Sequence, residues 1–436
     1  MSFKNRTIFA LLVSVSLSFL PFPLLAAGSV VKVSKDATGK FILLRDGKPF
    51  FINGSGGTQR LTELVQYGGN SVRTWGIDSL DQLVDGKPLP DRAQELGIGV
   101  TAGIWVGHER HGFNYSDPKK LEDQRQKVRA AVQKWKNHPA ILIWGLGNEM
   151  EGPASDGADP RIWKELNILA GIIKEEDPNH PVMTVIASSS PTKVKAILQY
   201  YPNIDILGVN AYSGASGAGK AVKEAGWNKP FILTEFGPPG QWEVRKTSWG
   251  APIEPTSWDK AGTYFATYSL LMQNTKDICL GSYVFLWGSK QEATSTWYGM
   301  FLNTGEKLPT VDAMARAWNG KWPAIRSPKI VSLKSALAEN KVPAGKTFTA
   351  SVEAKDFQEP PLPLTCEWTV MAESKVTGMG GEEEPVPPVF PECIVSGTGS
   401  EATIRTPSKP GAYRLFVAVR NGKGGASKDN IPFYVE

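Results

Sequence analysis

Between about residue 40 and residue 320, short apolar runs alternate with segments whose apolar residues recur at helical spacing. The runs are almost uninterruptedly apolar, as expected for parallel strands that are covered on both faces. Eight strands are predicted, over Phe50–Asn53, Ser71–Thr74, Val100–Val106, Ile141–Leu146, Val182–Ile186, Ile206–Asn210, Phe231–Thr234 and Ser282–Trp287. The pattern predicts an α/β fold, a closed (β/α)8 barrel over residues 30–322.

The helices between these strands have readable starts. Asp117-Pro118 and Asp159-Pro160 each place an N-cap residue before a proline at the first helical position. An open doubly wound sheet is the alternative fold. Such a sheet normally carries a phosphate-binding loop after its first strand, and Gly54-Ser55-Gly56-Gly57 fits neither nucleotide fingerprint.

A different pattern begins after a linker around residues 320–329. Apolar and polar residues then alternate with period two, most clearly at Tyr413, Leu415, Val417 and Val419. We therefore predict a small β-sandwich over residues 330–436, interrupted by a Pro/Glu-rich loop at residues 380–391. The segments at residues 366–368 and 410–425 resemble an immunoglobulin-like or polycystic-kidney-disease-type domain.

The first 27 residues have the order of a secretory signal peptide. Lys4 and Arg6 precede an apolar run from Ile8 to about Leu25, and three small residues follow it. A membrane anchor is the alternative, but two prolines near the end of the run favour cleavage. No later run approaches the roughly 20 apolar residues of a membrane span. We expect a secreted or periplasmic protein without stable membrane insertion.

Composition narrows the possible partners. With 41% hydrophobic and 21% charged residues, the chain is globular and long enough for a large domain and a smaller one. Removal of Lys4 and Arg6 lowers the formal charge from +5 to +3, and the basic residues are scattered, so we expect no nucleic-acid partner. Cys366 and Cys393 are candidates for a disulfide in an oxidising compartment, which leaves Cys279 as a small buried residue.

Two of the predicted strands end on a glutamate. Residues 144–149 read WGLGNE and residues 232–237 read ILTEFG, so Glu149 and Glu235 follow apolar, β-prone runs. A buried carboxylate is costly unless it emerges into a polar cleft. In one barrel the two side chains would enter the same cleft, and a pair of carboxylates is what glycosidic bond cleavage needs.

The other predicted strand ends are polar or aromatic. Active groups of such barrels lie at the C-terminal strand ends, which adds Arg73, Trp75, His108, Asn148, Asn210, Tyr212 and Trp287 to the two glutamates. Trp75, Trp287, Trp297 and Tyr298 are candidate platforms for the flat C–H faces of sugars. His108 and His111 raise a metal site as an alternative, but we interpret them as a polar substrate loop and expect neither metal nor cofactor.

The run KNHPAILIWGLGNE, residues 136–149, resembles the acid/base signature of glycoside hydrolase family 2, the β-galactosidase and β-glucuronidase family. Residues 46–52, 70–74, 177–182 and 232–237 resemble further segments of that family in the same order. The similarity covers the barrel, about 280 residues, and extends to the wider clan of retaining barrel glycosidases.

The resemblance assigns roles to individual residues. It implies that Glu149 is the acid/base, that Asn148 holds the sugar 2-hydroxyl and that Glu235 is the nucleophile. It also implies that Arg73 and Tyr212 orient Glu235. Trp287 would form the floor of the subsite that holds the cleaved sugar.

The chain also departs from the family. The family usually has a jelly roll and an immunoglobulin-like domain before its barrel, and we expect neither here. Where the family often has a polar His/Glu-containing turn after strand one, this chain has residues 54–57, GSGG. We therefore predict a retaining β-glycosidase that acts on an oligo- or polysaccharide. The alternatives are a β-glucan transglycosylase with the same two glutamates and a non-catalytic glycan-binding or scaffold protein.

Overall fold

The computed structural model describes residues 28–151, 156–375 and 384–436. The predicted signal segment, residues 1–27, and part of the predicted Pro/Glu-rich loop lie outside the described residues. In the part of the chain that is described, no helix combines the length and the apolarity that crossing a membrane requires.

The N-terminal part is a three-stranded antiparallel sheet of β1 (Val31–Lys35), β2 (Phe41–Arg45) and β3 (Lys48–Pro49). Eight parallel strands then close a barrel in chain order: β4 (Ile52–Gly56), β5 (Ser71–Arg73), β8 (Gly99–Ile104), β9 (Ile141–Leu146), β10 (Val182–Ala187), β11 (Ile206–Asn210), β12 (Phe231–Phe236) and β13 (Cys279–Val284). A small hairpin of β6 (Leu83–Val84) and β7 (Lys87–Pro88) lies between β5 and β8. The predicted α/β barrel is confirmed.

Within the described residues, eight α-helices accompany the strands: α1 (Leu61–Gln66), α2 (Leu89–Glu95), α3 (Pro118–Trp135), α4 (Pro160–Glu176), α5 (Pro191–Tyr200), α6 (Ala218–Glu224), α7 (Ser257–Asn274) and α8 (Pro309–Asn319). The predicted starts of α3 and α4 are confirmed. The Asp117 carboxylate accepts hydrogen bonds from the backbone N–H groups of Lys119 and Lys120, and Asp159 accepts one from Arg161. These side chains satisfy N–H groups that a helix leaves unpaired at its start.

The first sheet closes the end of the barrel at which the strands begin. Its backbone is bonded to residues just before two barrel strands, since Val31 N–H donates to Asn179 and Phe41 N–H donates to Asp277. Val31 and Leu43 pack against the lower interior of the barrel. The opposite end, where the strands finish, therefore remains as the open mouth.

The C-terminal domain is the predicted β-sandwich. One antiparallel sheet has the order β14 (Lys329–Ser335), β16 (Thr347–Lys355), β19 (Glu401–Arg405) and β18 (Ile394–Thr398). The other has the order β15 (Lys341–Val342), β21 (Ala426–Val435), β20 (Gly411–Arg420) and β17 (Thr365–Ala372). Cys366 and Cys393 are not bridged, and Cys279 is buried in the barrel core, as expected for a small apolar residue.

Candidate active site

Two strand ends at the barrel mouth carry the predicted glutamates. Glu235 lies within β12, one residue before its end, and Glu149 lies three residues beyond the end of β9. Glu149 has a φ of 53°, which non-glycine residues rarely adopt, and its backbone N–H donates to the Val185 carbonyl at 2.8 Å. Backbone conformations of this kind cluster at functional sites.

Glu235 is surrounded by hydrogen-bond donors. Its Oε1 accepts from Arg73 Nη1 and from Trp75 Nε1, both at 2.8 Å, and its Oε2 accepts from the Tyr212 hydroxyl at 3.2 Å. Burial, with the charge of Glu235 acting in the same direction, raises the pKa of Tyr212 well above its ordinary value, so this hydroxyl remains a donor. Three donors, one of them a guanidinium, stabilise a carboxylate anion.

Glu149 has different surroundings. Its Oε1 accepts one hydrogen bond, from Asn210 Nδ2 at 2.7 Å. Burial in the cleft raises the pKa of Glu149 to about 7, and the charge of Glu235 acts in the same direction, whereas the Asn210 bond opposes the shift. A substantial share of Glu149 therefore carries a proton at neutral pH.

Two asparagines, Asn148 and Asn210, connect the hydrogen bonds around Glu235 with those around Glu149. Asn148 Oδ1 accepts from Arg73 Nη2 at 2.6 Å and from Asn210 Nδ2 at 3.1 Å. The Thr234 hydroxyl donates to Asn210 Oδ1 at 2.8 Å, which directs the Asn210 amide nitrogen toward Asn148 and Glu149. Hydrogen bonds thus hold the side chains of Arg73, Asn148, Asn210 and Thr234 in one orientation.

The site opens into a cavity of about 670 Å³, within the usual range for ligand pockets. Aromatic side chains line it together with both glutamates: Trp75, Trp105, Tyr212, Trp242 and Phe285. Trp105 and Trp242 are 46% and 39% exposed, so each presents a ring to solvent at the cavity wall. Flat apolar rings beside carboxylates and amides suit a sugar.

Gly54 and Gly56 lie within the first barrel strand, β4, rather than in a turn after it, and the packing explains both glycines. A Cβ at Gly56 would lie 2.4 Å from the Phe285 carbonyl and 2.9 Å from the Trp75 ring. A Cβ at Gly54 would lie 2.3 Å from the Tyr283 ring. The lack of a side chain at Gly56 therefore allows Trp75 to lie close over the strand and to reach Glu235.

The structure brings most of the predicted site residues together: Arg73, Trp75, Asn148, Glu149, Asn210, Tyr212 and Glu235. His108 is buried behind Trp105, with ring centroids 4.9 Å apart, and burial lowers its pKa to about 4. His108 is therefore a neutral support for Trp105 rather than a side chain of the cavity wall.

Two predicted tryptophans lie elsewhere. Trp287 is fully buried, packs against Phe301 and donates its indole N–H to the Arg60 carbonyl. Trp297 is also fully buried and donates to the Pro239 carbonyl. Neither lines the cavity, so the prediction that Trp287 forms the floor is wrong; Phe285 and Leu286 line it instead.

Trp144, which begins the run that ends in Glu149, does not line the cavity. Its indole N–H donates to Asp177 Oδ2 at 2.8 Å within the buried core. Sequence reasoning also missed Trp105, Arg110 and Lys290, which line the cavity. Trp105 lies directly after β8 and was included in a predicted strand, so its position at a strand end was the available signal.

Part of the barrel is similar in sequence to a known family of proteins. The profile described as "Glycosyl hydrolases family 2, TIM barrel domain" matches residues 90–240, a range that contains both glutamates. This part of the barrel therefore resembles the barrel of that family.

Two curated relatives match parts of this chain. The β-galactosidase of Leuconostoc mesenteroides subsp. mesenteroides is 29% identical over 133 residues, which are 29% of this chain and 12% of that protein. The β-glucuronidase of Paenibacillus borealis is 27% identical over 190 residues, which are 38% of this chain and 29% of that protein. The chain therefore spans less than a third of the length of either relative.

Solved structures show the same fold. A β-D-glucuronidase of Dictyoglomus thermophilum aligns with a TM-score of 0.51 and 18% identity, over 68% of this chain and 54% of that chain. A β-galacturonidase from Eisenbergiella tayi, bound to galacturonate, aligns with a TM-score of 0.50 and 16% identity, over 67% and 54%. At these identities the likeness concerns the fold alone.

Proposed function

We propose that this protein is a retaining β-glycosidase in which Glu235 is the nucleophile and Glu149 is the acid/base. The observation that carries the proposal is the contrast between the two carboxylates in one cavity. From the described residues, Glu235 accepts three hydrogen bonds, one of them from a guanidinium, whereas Glu149 accepts one and has its pKa raised to about 7. Such a contrast separates a nucleophile from a general acid.

In the first step, Glu149 transfers its proton to the glycosidic oxygen while Glu235 attacks the anomeric carbon. The bond from that carbon to the leaving oxygen breaks, and an ester to Glu235 forms. Esterification removes the negative charge of Glu235, which is one of the causes of the raised pKa of Glu149. Glu149 then becomes a stronger acid and remains ionised.

In the second step, Glu149 takes a proton from water, whose oxygen attacks the anomeric carbon and releases Glu235 as a carboxylate. Two inversions at the same carbon give net retention. Arg73 and Tyr212 act as donors that hold Glu235 in position and stabilise it when it leaves. Asn148, fixed by Arg73 and Asn210, is placed to bond a sugar hydroxyl.

A transglycosylase is the second candidate, because an acceptor sugar can replace water in the second step. The exposed rings of Trp105 and Trp242 support this candidate, since they offer platforms on the cavity wall where an acceptor can bind. A non-catalytic glycan-binding protein fits less well, because binding alone requires no pair of carboxylates with contrasting surroundings.

The test is a panel of aryl β-glycosides, β-glucans and mannans, with the anomeric configuration of the first product followed by proton NMR. We expect hydrolysis of at least one substrate with a β-anomer as the initial product. An initial α-anomer would show inversion, and no turnover of any substrate would contradict an enzyme of this class. Products longer than the substrate would identify the transglycosylase.

We also propose that the protein acts outside the cytoplasm, as a secreted or periplasmic enzyme. The support is the order of charged, apolar and small residues in the first 27 positions. Expression of the full chain, followed by mass determination of the exported protein, should give a mature chain that begins near Gly28. An intact N-terminus on the membrane fraction would favour an anchor.

A further inference from the structure

A second cavity, of about 440 Å³, lies where the barrel meets the C-terminal sandwich. Its walls come from both domains: Trp249 belongs to the segment after β12, whereas Phe390 and Tyr413 belong to the sandwich. Trp242 lines this junction cavity and also the catalytic cavity. The two spaces are therefore adjacent and share one aromatic side chain.

Trp242 is held in a defined position between them. Its ring meets the Tyr212 ring edge-on, with centroids 5.8 Å apart and planes at 88°. Its ring also lies over Gly240, where a Cβ would approach it within 2.5 Å. Because Tyr212 in turn donates to Glu235, the Trp242 ring is connected to the reacting carboxylate through one side chain.

The walls of the junction cavity are fixed by a buried arginine. Arg414 Nη2 donates to the Pro252 carbonyl of the barrel at 2.9 Å and to Glu373 Oε1 of the sandwich at 2.6 Å. Pro252 and Glu373 both line the cavity. Asn430 Nδ2 adds a second tie between the domains by donating to Glu254 at 2.7 Å. The cavity is thus a formed space between two joined domains.

The chemistry of the lining matches that of a sugar subsite. Trp249 is braced against Tyr434 of the sandwich, with ring centroids 5.9 Å apart, and Tyr413 packs edge-on against Phe390 at 5.4 Å. Such rings suit the C–H faces of sugar units. Three exposed lysines at the edge supply donors for hydroxyl or carboxylate groups: Lys246, Lys375 and Lys409.

We propose that the junction cavity is a distal subsite that binds further units of the same glycan chain whose scissile bond lies at Glu149 and Glu235. The inference rests on the proposed function and extends it, since it makes the substrate a chain long enough to pass Trp242. It also assigns the C-terminal sandwich to substrate binding. The rate advantage of long substrates over short ones should therefore depend on residues outside the barrel.

The test uses the full mature protein and oligosaccharides of increasing length, from the disaccharide upwards, prepared from the polysaccharide that it hydrolyses. In the wild type, kcat/KM should rise with length beyond the units that the catalytic cavity holds. Trp249→Ala removes a platform, and Ala412→Trp fills the cavity without removing packing. Each should lower the ratio of long-chain to disaccharide kcat/KM by about tenfold, as loss of one aromatic anchor does.

Trp135→Ala is the matched control, because Trp135 is a half-buried tryptophan on α3 that lines neither cavity. It should leave the ratio unchanged. A wild-type rate that is independent of length, or a length advantage that survives in both variants, would overturn the distal subsite while leaving the glycosidase intact. Failure to cleave any aryl glycoside would instead contradict the proposed function.

Discussion

The ends of β9 and β12 carry the same kind of side chain in opposite environments. At the end of β12, Arg73, Trp75 and Tyr212 direct three donors at Glu235. Beyond the end of β9, Glu149 has one donor and a neighbouring negative charge, and its pKa is raised to about 7. The comparison shows that the role of a carboxylate in one cavity is decided by its donors and by its partner's charge.

Removal of the nucleophile, Glu235, should cause the largest loss of activity. Glu235→Ala should lower kcat/KM by about 10⁴-fold or more for every substrate, whatever the leaving group, because no covalent intermediate can form. Steady-state rates on natural and aryl substrates measure this. Glu243→Gln is the control, since Glu243 also lines the cavity but accepts from the backbone N–H groups of Gly240 and Ser213 rather than from a guanidinium. An equal loss of kcat/KM in Glu243→Gln would show that Glu235 is not the nucleophile.

Loss of the acid should be more selective. Glu149→Ala should slow cleavage of the natural glycan by about 10²–10⁴-fold, the usual contribution of a positioned general acid. The rate at which aryl glycosides with good leaving groups form the glycosyl-enzyme should change little, because such groups depart without a proton. Pre-steady-state bursts across a series of leaving groups measure this difference. Cleavage of natural glycan at the wild-type rate would show that Glu149 is not the acid/base.

The donors around Glu235 should differ in importance according to charge. Arg73→Met removes charged hydrogen bonds to Glu235 and Asn148 and should lower kcat/KM by about 10–100-fold. Tyr212→Phe removes one longer bond, whose donor is uncharged, and should cost about 2–10-fold. The ranking of the two variants on one aryl glycoside is the measurement, and a greater loss in Tyr212→Phe would contradict the assigned contributions.

The last prediction concerns stability rather than activity. Because the folded state raises the pKa of Glu149, folding favours the protonated carboxyl, and stability is lost as pH rises from the ordinary carboxyl range through about 7. Glu149→Gln removes that loss and should stabilise the protein by about 1–2 kcal/mol at pH 8. Near pH 4 it should have little effect. Urea unfolding at both pH values tests this, and equal effects at the two would contradict it.

The apolar pattern predicted the barrel well where a strand and its buried run coincide. The predicted and observed bounds agree for β9 and β11. They differ for β13, predicted over Ser282–Trp287 and observed over Cys279–Val284, because the apolar run continues beyond the strand into the cavity wall. A run of apolar residues in the sequence does not show where the hydrogen bonding between strands ends.

The same limit explains the misplaced aromatics. The strand-end rule found Arg73, Trp75 and Tyr212, since parallel strands bring their ends to one mouth. It did not separate Trp287, which packs inward, from Phe285, which lines the cavity two residues earlier. Which face of an irregular segment meets the cavity depends on tertiary packing. The sandwich's contribution to the junction cavity had no signal in the sequence for the same reason.

The division of roles between the two glutamates is tested most directly by the configuration of the glycosyl azide that each alanine variant forms. With azide and an activated β-glycoside, Glu149→Ala should release its glycosyl-enzyme as the β-azide, since azide needs no base and Glu235 remains the nucleophile. Glu235→Ala should give the α-azide by direct displacement. Proton NMR distinguishes the two products. The reverse assignment, with the α-azide from Glu149→Ala and the β-azide from Glu235→Ala, would contradict the account.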